Sequence, residues 1–234
     1  MLQFSLVEQI ALVLFLLSGI SFFLYHLLLR LRIVLKGKSN FSVDELPKRI
    51  IRVFDEVILH KKVASGKRKS AGILHALVMY GFIFFGLITI NHFGMAFGFP
   101  IFSESFRHTY FLIFGAPWAI LCTIGILGLA YRRFVIKPEA LGKFSSTSAL
   151  VSVFIVTLMT TYLIDELHIL TGAAEKFNWW LHSGVIGGFL FLIPQSKHMH
   201  LVLSPFNIFL RPFEVPNHGA IPICLLYTSD AADE

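Results

Sequence analysis

The residues best suited to chemistry in this chain are its histidines, of which there are ten in 234 residues. The stretch "LHSGVIGGFLFLIPQSKHMHLVLSPFNIFL", residues 181–210, is apolar enough for a membrane. It nevertheless carries His182 at one end, His198 and His200 at the other, and Pro194 between them. His182 and His200 are 18 residues apart. On one α-helix that is five turns, so both side chains project from one face, about 27 Å apart. Neutral imidazole is a good ligand for haem iron, and a bis-histidine haem takes one imidazole from each of two facing helices. A helix with an imidazole at each end can therefore serve two stacked haems.

A second stretch supplies facing partners. "KSAGILHALVMYGFIFFGLITINHFG" begins near His75 and ends near His92, 17 residues further on, which is about 25 Å at helical rise. Packed antiparallel to the first stretch, it sets His75 level with His200 and His92 level with His182. Seventeen residues leave His92 about 100° round from His75, an offset that helix twist has to absorb. His168 is the alternative partner for His182. His26 is the alternative to His75 and otherwise reads as a packing or snorkelling residue. Gly81, Gly86, Gly184, Gly187 and Gly188 would admit a flat macrocycle close to the backbones, or equally serve ordinary helix packing.

Pro194 cannot donate to the carbonyl of Leu190, which predicts a kink that turns the His198–His200 end toward a bundle. On a continuous helix His198 and His200 lie about 200° apart, so the register with His182 favours His200 and turns His198 to a loop or headgroup region beside Lys197. His60, His108 and His218 read as polar surface. Asp165 and Glu166, with His168, are either a route for protons or a helix end in water. Cys122 and Cys224 cannot build a disulfide framework, a zinc site or an iron–sulfur site. No CxxCH is present, so any haem is expected to be non-covalent.

These groups need apolar elements to position them. The chain is 56% hydrophobic and only 15% charged, with 25 phenylalanines. Several apolar runs exceed the length that spans a bilayer core. The expected fold is an all-α membrane protein with five transmembrane helices, roughly 4–29, 72–97, 109–131, 148–170 and 180–203. The first run has no basic n-region or cleavage site and reads as a retained helix. Residues 30–70 hold 12 of the 20 Lys and Arg, and 131–147 hold four more. That bias predicts the N-terminus outside and the C-terminus inside. It also accounts for the net charge of +6 without a nucleic-acid partner. "SVDELPKRIIRVFDEVILHKK" is the one non-spanning helix expected. Ser42 and Glu45 have capping-box spacing, Pro47 suits an early turn, and Ile50, Phe54, Val57 and Ile58 recur at helical spacing. It is expected to lie on the inner membrane surface or to pack against a partner subunit.

"WWLHSGVIGGFLFLIPQSKHMHLVLSPFNIFL" resembles the last membrane helix of the respiratory nitrate reductase gamma-subunit family, which includes the membrane subunits of heterodisulfide-reductase-type and sulfite-reduction-associated complexes. His182, Pro194, Ser196, Lys197 and His200, then Ser204–Pro205–Phe206–Asn207, carry the likeness, and "GILHALVMYGFIFFG" resembles the family's second helix. The resemblance covers about residues 10–212. It implies a five-helix cytochrome b passing electrons between membrane quinone, menaquinone or ubiquinone, and an iron–sulfur subunit or fused domain on the cytoplasmic side of a prokaryotic inner membrane. The implied cofactor is haem b, two groups: an inner one on His75 and His200, an outer one on His182 with His92. The family's second ligand near the middle of the second helix is missing here, where "GFIFFG" sets Phe84 and Phe85.

Residues 1–212 are thus expected to form the membrane domain and 213–223 to begin a cytoplasmic continuation. Residues 224–234, "CLLYTSDAADE", resemble a translated sequencing adapter rather than natural protein. The expected role is an electron-transfer subunit, with either direction of flow open. The alternatives are a histidine-lined metal-ion transporter, which would need midspan carboxylates, and a cofactor-free membrane anchor.

Overall fold

The computed structural model of the protein describes residues 3–36, 43–61, 69–142 and 144–213. Every regular element among them is helical. Four helices are long and apolar enough to cross a membrane: α1 (Leu6–Leu35), α3 (Lys69–Ala96), α4 (Glu104–Ile136) and α5 (Ser146–Glu166). The short α2 (Leu46–Val53) lies between α1 and α3, while α6 (Ala173–Leu192) and α7 (His200–Leu210) follow α5. The expected fifth span, 180–203, is therefore not one helix. It starts earlier, as α6, and breaks after Leu192.

The break has a local cause. Pro194 removes a backbone donor, and Ile193–Gln195 tighten into a 3-10 turn. Ser196 is extended (φ −124°, ψ 170°), and its Oγ accepts from the His198 N–H at 3.2 Å, which starts a second turn, Lys197–Met199, leading into α7. The five-turn register expected between His182 and His200 does not exist, so their positions have to be read from their neighbours.

The long helices alternate in direction. α1 starts from a capping box in which Ser5 accepts from Glu8 N–H while the Glu8 carboxylate accepts from the Ser5 N–H. Glu8 also pairs with Lys176 at the start of α6, and Gln9 Nε2 donates to the Ala96 carbonyl at the end of α3 (2.9 Å). These contacts, with Arg107–Glu166 at 3.2 Å between α4 and α5, define one end of the molecule, the N-terminal end. The opposite, basic end holds Arg30, Arg133, Lys197, α2 and α7.

α3, α4, α5 and α6 pack side by side in that order, and α1 flanks α6. Small residues set the close approaches. A Cβ on Gly125 of α4 would meet the Leu74 carbonyl of α3 at 2.8 Å, and one on Gly81 would meet Cys122 Sγ at 2.9 Å. Gly187 and Gly188 pack against Phe15 of α1 and Phe154 of α5. Of the five glycines that might have cradled a macrocycle, Gly81, Gly187 and Gly188 are thus helix-packing residues. Gly86 and Gly184 face open space. α3 and α6 meet through side chains, Phe82 on Phe189 (6.1 Å) and His92 on His182 (4.9 Å), rather than through close backbones.

α2 is amphipathic, but its apolar face points outward. Ile50, Ile51 and Phe54 are 51–60% exposed, while Arg49 is 3% exposed. Arg49 donates to the carbonyls of Phe209 (2.7 Å) and Arg211 (3.2 Å) and to Glu45 (2.6 Å), and Arg52 donates to the Arg211 carbonyl (2.6 Å). Guanidinium groups thereby satisfy the C-terminal carbonyls of α7, where helix geometry leaves acceptors over. Pro47 stands in the first turn as expected. The cap is Glu45, without a side-chain bond, while Ser42 lies outside the described residues. The 224–234 segment, most of 213–223, and His218 also lie outside them.

Candidate functional site

At the basic end, α3 brings His75 to face His200 at the first residue of α7, with ring centroids 6.0 Å apart. Their ring nitrogens are held in a definite way. His200 Nδ1 lies 2.9 Å from the Lys197 carbonyl oxygen. A carbonyl only accepts, so Nδ1 carries the proton and Nε2 is left with its lone pair. His75 Nδ1 lies 3.4 Å from Nε2 of His60, whose Nδ1 in turn donates to the Val57 carbonyl (2.7 Å). His60 is only 7% exposed and stacks on His75 at 5.6 Å. It is not the polar surface residue that its place outside the apolar runs implies.

His75 and His200 line a partly open cavity of about 810 Å³, bounded by residues of α1, α3, α4, α5, α6 and α7 and the turns between the last two. Its walls are apolar, with Val78, Met79, Phe82, Ile126, Ile155 and Phe189. Its basic rim carries Arg30, Arg133 and Lys197. Arg133 Nε and Nη1 are buried without a hydrogen-bond partner, a situation that costs free energy and calls for an acceptor. His198 also lines the cavity, its ring 6.3 Å from His200 and its Nδ1 3.2 Å from Ser196 Oγ. Both histidines line the cavity, contrary to the expectation for His198; the 3-10 turn narrows the angle between them from about 160° on an α-helix to about 120°.

The donor set fits a bis-histidine haem. Metal–imidazole bonds of about 2 Å on opposite faces of one iron set two ring centroids roughly 6 Å apart, and His75 and His200 stand at 6.0 Å. The cavity lies in the upper part of the ~300–1,000 Å³ range of cofactor sites. The orphaned Arg133 provides a cation for the two carboxylates such a group carries.

At the N-terminal end, α3 and α6 bring His92 to His182, as antiparallel packing requires. Here the space is different. Thr161 Oγ donates to the Thr157 carbonyl (2.7 Å) and so accepts from His182 Nδ1 (2.7 Å), leaving His182 Nε2 free. His92 stacks on Trp179 at 4.7 Å, and its Nε2 is 2.9 Å from the buried Ser183 Oγ. The rings are 4.9 Å apart, and the enclosed space is about 20 Å³, enough for a water and not for a macrocycle. In this arrangement the pair does not fit a haem. Asp165, Glu166, Tyr162 and Arg107 line the same small space, so a polar cluster does surround His182. His168 is exposed, in a left-handed turn (φ 50°) after α5, and does not line it. His26 packs on Phe22 and Tyr25 and does not line the basic-end cavity. His108 is exposed. Among the described residues no three His, Cys, Asp or Glu side chains converge as a metal-ion site.

His60 is the residue that the sequence did not point to. The one available signal was its position at the end of an amphipathic segment that leads straight into the helix bearing His75.

The chain is similar to an iron–sulfur-binding oxidoreductase. The match is to the probable iron-sulfur-binding oxidoreductase FadF of Bacillus subtilis (strain 168), at 28% identity over 228 residues, covering 84% of this chain and 32% of FadF. The chain thus spans about a third of the length of this curated relative. The likeness points to an oxidoreductase-associated family, and together with the apolar helical fold it fits a membrane electron-transfer subunit. No family model matches, and no solved structure matches.

Proposed function

We propose that this chain is the membrane cytochrome b part of a quinone-linked oxidoreductase, of the nitrate reductase gamma-subunit type, in a prokaryotic inner membrane. The observation that carries the proposal is the pairing of His75 with His200, ring centroids 6.0 Å apart on the wall of an 810 Å³ cavity, with the Lys197 carbonyl on His200 Nδ1. When bound, haem b supplies a one-electron couple between quinone and iron–sulfur chemistry. The chain's residues do the rest. His75 and His200 would hold the iron. Arg133 and Arg30 would supply cations for the carboxylates of the group, and Val78, Met79, Phe82 and Ile126 would give it an apolar wall.

The name of the similar B. subtilis protein, and the roughly two thirds of its length that this chain does not match, support an iron–sulfur partner or fused domain. That partner would sit at the basic end, where α7 leads out of the bundle. Asp165 and Glu166 beside His182 are proposed to take part in proton release or uptake at a quinone site near the N-terminal end. Menaquinone and ubiquinone suit the proposal equally, in either direction of electron flow. A second haem on His182 would require the His92 ring to leave Trp179 and α3 and α6 to part, so nothing further is routed through it.

The test is the purified protein in detergent. A dithionite-reduced haem b spectrum is expected, with all haem removed by acid–acetone. His75→Ala and His200→Ala should each abolish the same haem. A colourless protein from haem-replete cells, or two variants that deplete different haems, would sink the proposal.

A further inference from the structure

We infer that His60 is a positioning residue that fixes the tautomer of His75, so that His75 offers Nε2 and not Nδ1 to a metal. The inference rests on the reading of His75 as a haem ligand and adds a residue from a separate element to that site.

The hydrogen bonds leave one consistent arrangement of protons. The Val57 carbonyl, 2.7 Å from His60 Nδ1, can only accept. His60 Nδ1 therefore carries the hydrogen, and in the neutral ring Nε2 is an acceptor. The group that acceptor faces, at 3.4 Å, is His75 Nδ1. A hydrogen bond between them then needs the proton on His75 Nδ1, which leaves the Nε2 lone pair on the ring edge away from His60; His200 stands with its ring centroid 6.0 Å from that of His75 on the wall of the same cavity. His200 reaches the same state through the Lys197 carbonyl. The two rings thus present matching nitrogens, one set by the backbone and one by a side chain. Ligand histidines characteristically donate their second N–H in this way, which fixes ring orientation and raises ligand basicity.

The local fold is arranged to hold His60 there. His60 has φ 49°, a left-handed conformation that L side chains adopt at a cost. It follows a wide helical turn, Phe54–Ile58, closed by Leu59 N–H on the Phe54 carbonyl at 2.9 Å. Tyr80, one and a half turns beyond His75 on α3, donates to the Ile58 carbonyl at 2.6 Å and locks the segment against the same helix. Sparsely populated backbone held by surrounding contacts is found where a side chain's aim matters. A buried histidine with both nitrogens engaged, one of them on another histidine, is poorly explained as packing alone.

The test compares His60→Met and His60→Gln in the full-length, haem-loaded protein. The two side chains are alike in length and volume; glutamine offers His75 Nδ1 a strong carbonyl acceptor, where the methionine thioether is only a weak one. His60→Met should raise the midpoint potential of the haem that depends on His75 and weaken haem retention by roughly 10–100-fold. His60→Gln should restore most of both. If Met and Gln behave alike, whether both are like wild type or both are impaired, the positioning role is wrong. Should His60→Met fail to fold, His60→Gly, which relieves the backbone strain, takes its place with the same expectation. The ligand reading is tested separately by His75→Ala, which should lose that haem. Selective ¹⁵N-histidine spectra of the haem-free protein complete the experiment. His75 should be protonated at Nδ1 in wild type and His60→Gln, and a mixture of tautomers in His60→Met. A proton on Nε2 of His75 in the wild type overturns the inference whatever the haem result.

Discussion

Arg133 makes little sense without a guest. Two of its guanidinium nitrogens are buried without an acceptor on the wall of the His75–His200 cavity. An unmet buried donor costs about 1–3 kcal/mol, and a charge-assisted bond to a carboxylate returns a similar amount. Arg133→Leu should therefore have opposite effects on two measurements. The haem-free protein should be unchanged or more stable in a thermal melt in detergent. Haem affinity should fall, by about tenfold or more. Loss of stability without loss of affinity would mean that Arg133 serves the fold and not the cofactor. The pairing of His75 with His200 and of His92 with His182 was legible at this scale, because ionisable groups at the ends of apolar runs are few and costly. What was hidden was orientation. His198 turned inward because Ser196 caps a 3-10 turn, and His60 became part of the site because a left-handed residue folds its ring back onto α3. Neither backbone conformation leaves a trace in side-chain periodicity.

Among the elements, α3 and α4 approach each other closely at a glycine beside the site. A Cβ on Gly125 would meet the Leu74 carbonyl at 2.8 Å, Leu77 Cβ at 3.1 Å and a Val78 methyl at 3.1 Å. Leu74 is the residue before His75, and its backbone cannot swing aside as a side chain can. Gly125→Val should push the two helices apart, cost about 1–3 kcal/mol by overpacking, and loosen haem by shifting His75. Gly86→Ala is the control, because a Cβ there meets nothing within 4 Å. A melt and a haem titration of both variants decide the matter. Equal behaviour would mean that the α3–α4 approach is not what fixes His75. Apolar run length made the four long helices readable, although α4 extends to Glu104–Ile136 where 109–131 was expected, starting at the Ser103 cap and adding a wide turn at Arg132–Ile136. The fifth run misled for a physical reason. Apolar residues stand on both sides of the polar stretch Gln195–His200, in α6 and in α7, while α-helical hydrogen bonding stops at Pro194 and Ser196. The break is what allows His200 to meet His75 without the expected five-turn register.

For the whole molecule, charge asymmetry makes the strongest remaining prediction. Sixteen of the 20 Lys and Arg fall in residues 30–70 and 131–147, and the alternation of α1, α3, α4 and α5 collects the described ones at one end. The positive-inside bias predicts that this end lies in the cytoplasm. If α6 also crosses, five spans put the chain's start outside and the end of α7 inside, next to the proposed iron–sulfur partner. Single cysteines test this in a background where Cys122 and Cys224 are replaced by Ala and Ser. Lys61, at the basic end with a side chain 60% exposed, and Phe99, in the α3–α4 loop and 78% exposed, are suitable positions. In intact cells a membrane-impermeant maleimide should label Phe99→Cys and spare Lys61→Cys until the membrane is permeabilised. A green fluorescent protein fused after Phe213 should fluoresce, since it folds efficiently only on the cytoplasmic side. Labelling of Lys61→Cys in intact cells would invert the orientation. Correct labelling with a dark fusion would mean that α6 turns back within the bilayer. His200 and His75 would then have to be brought together by a re-entrant segment, which the break at Pro194–Ser196 is already shaped to permit.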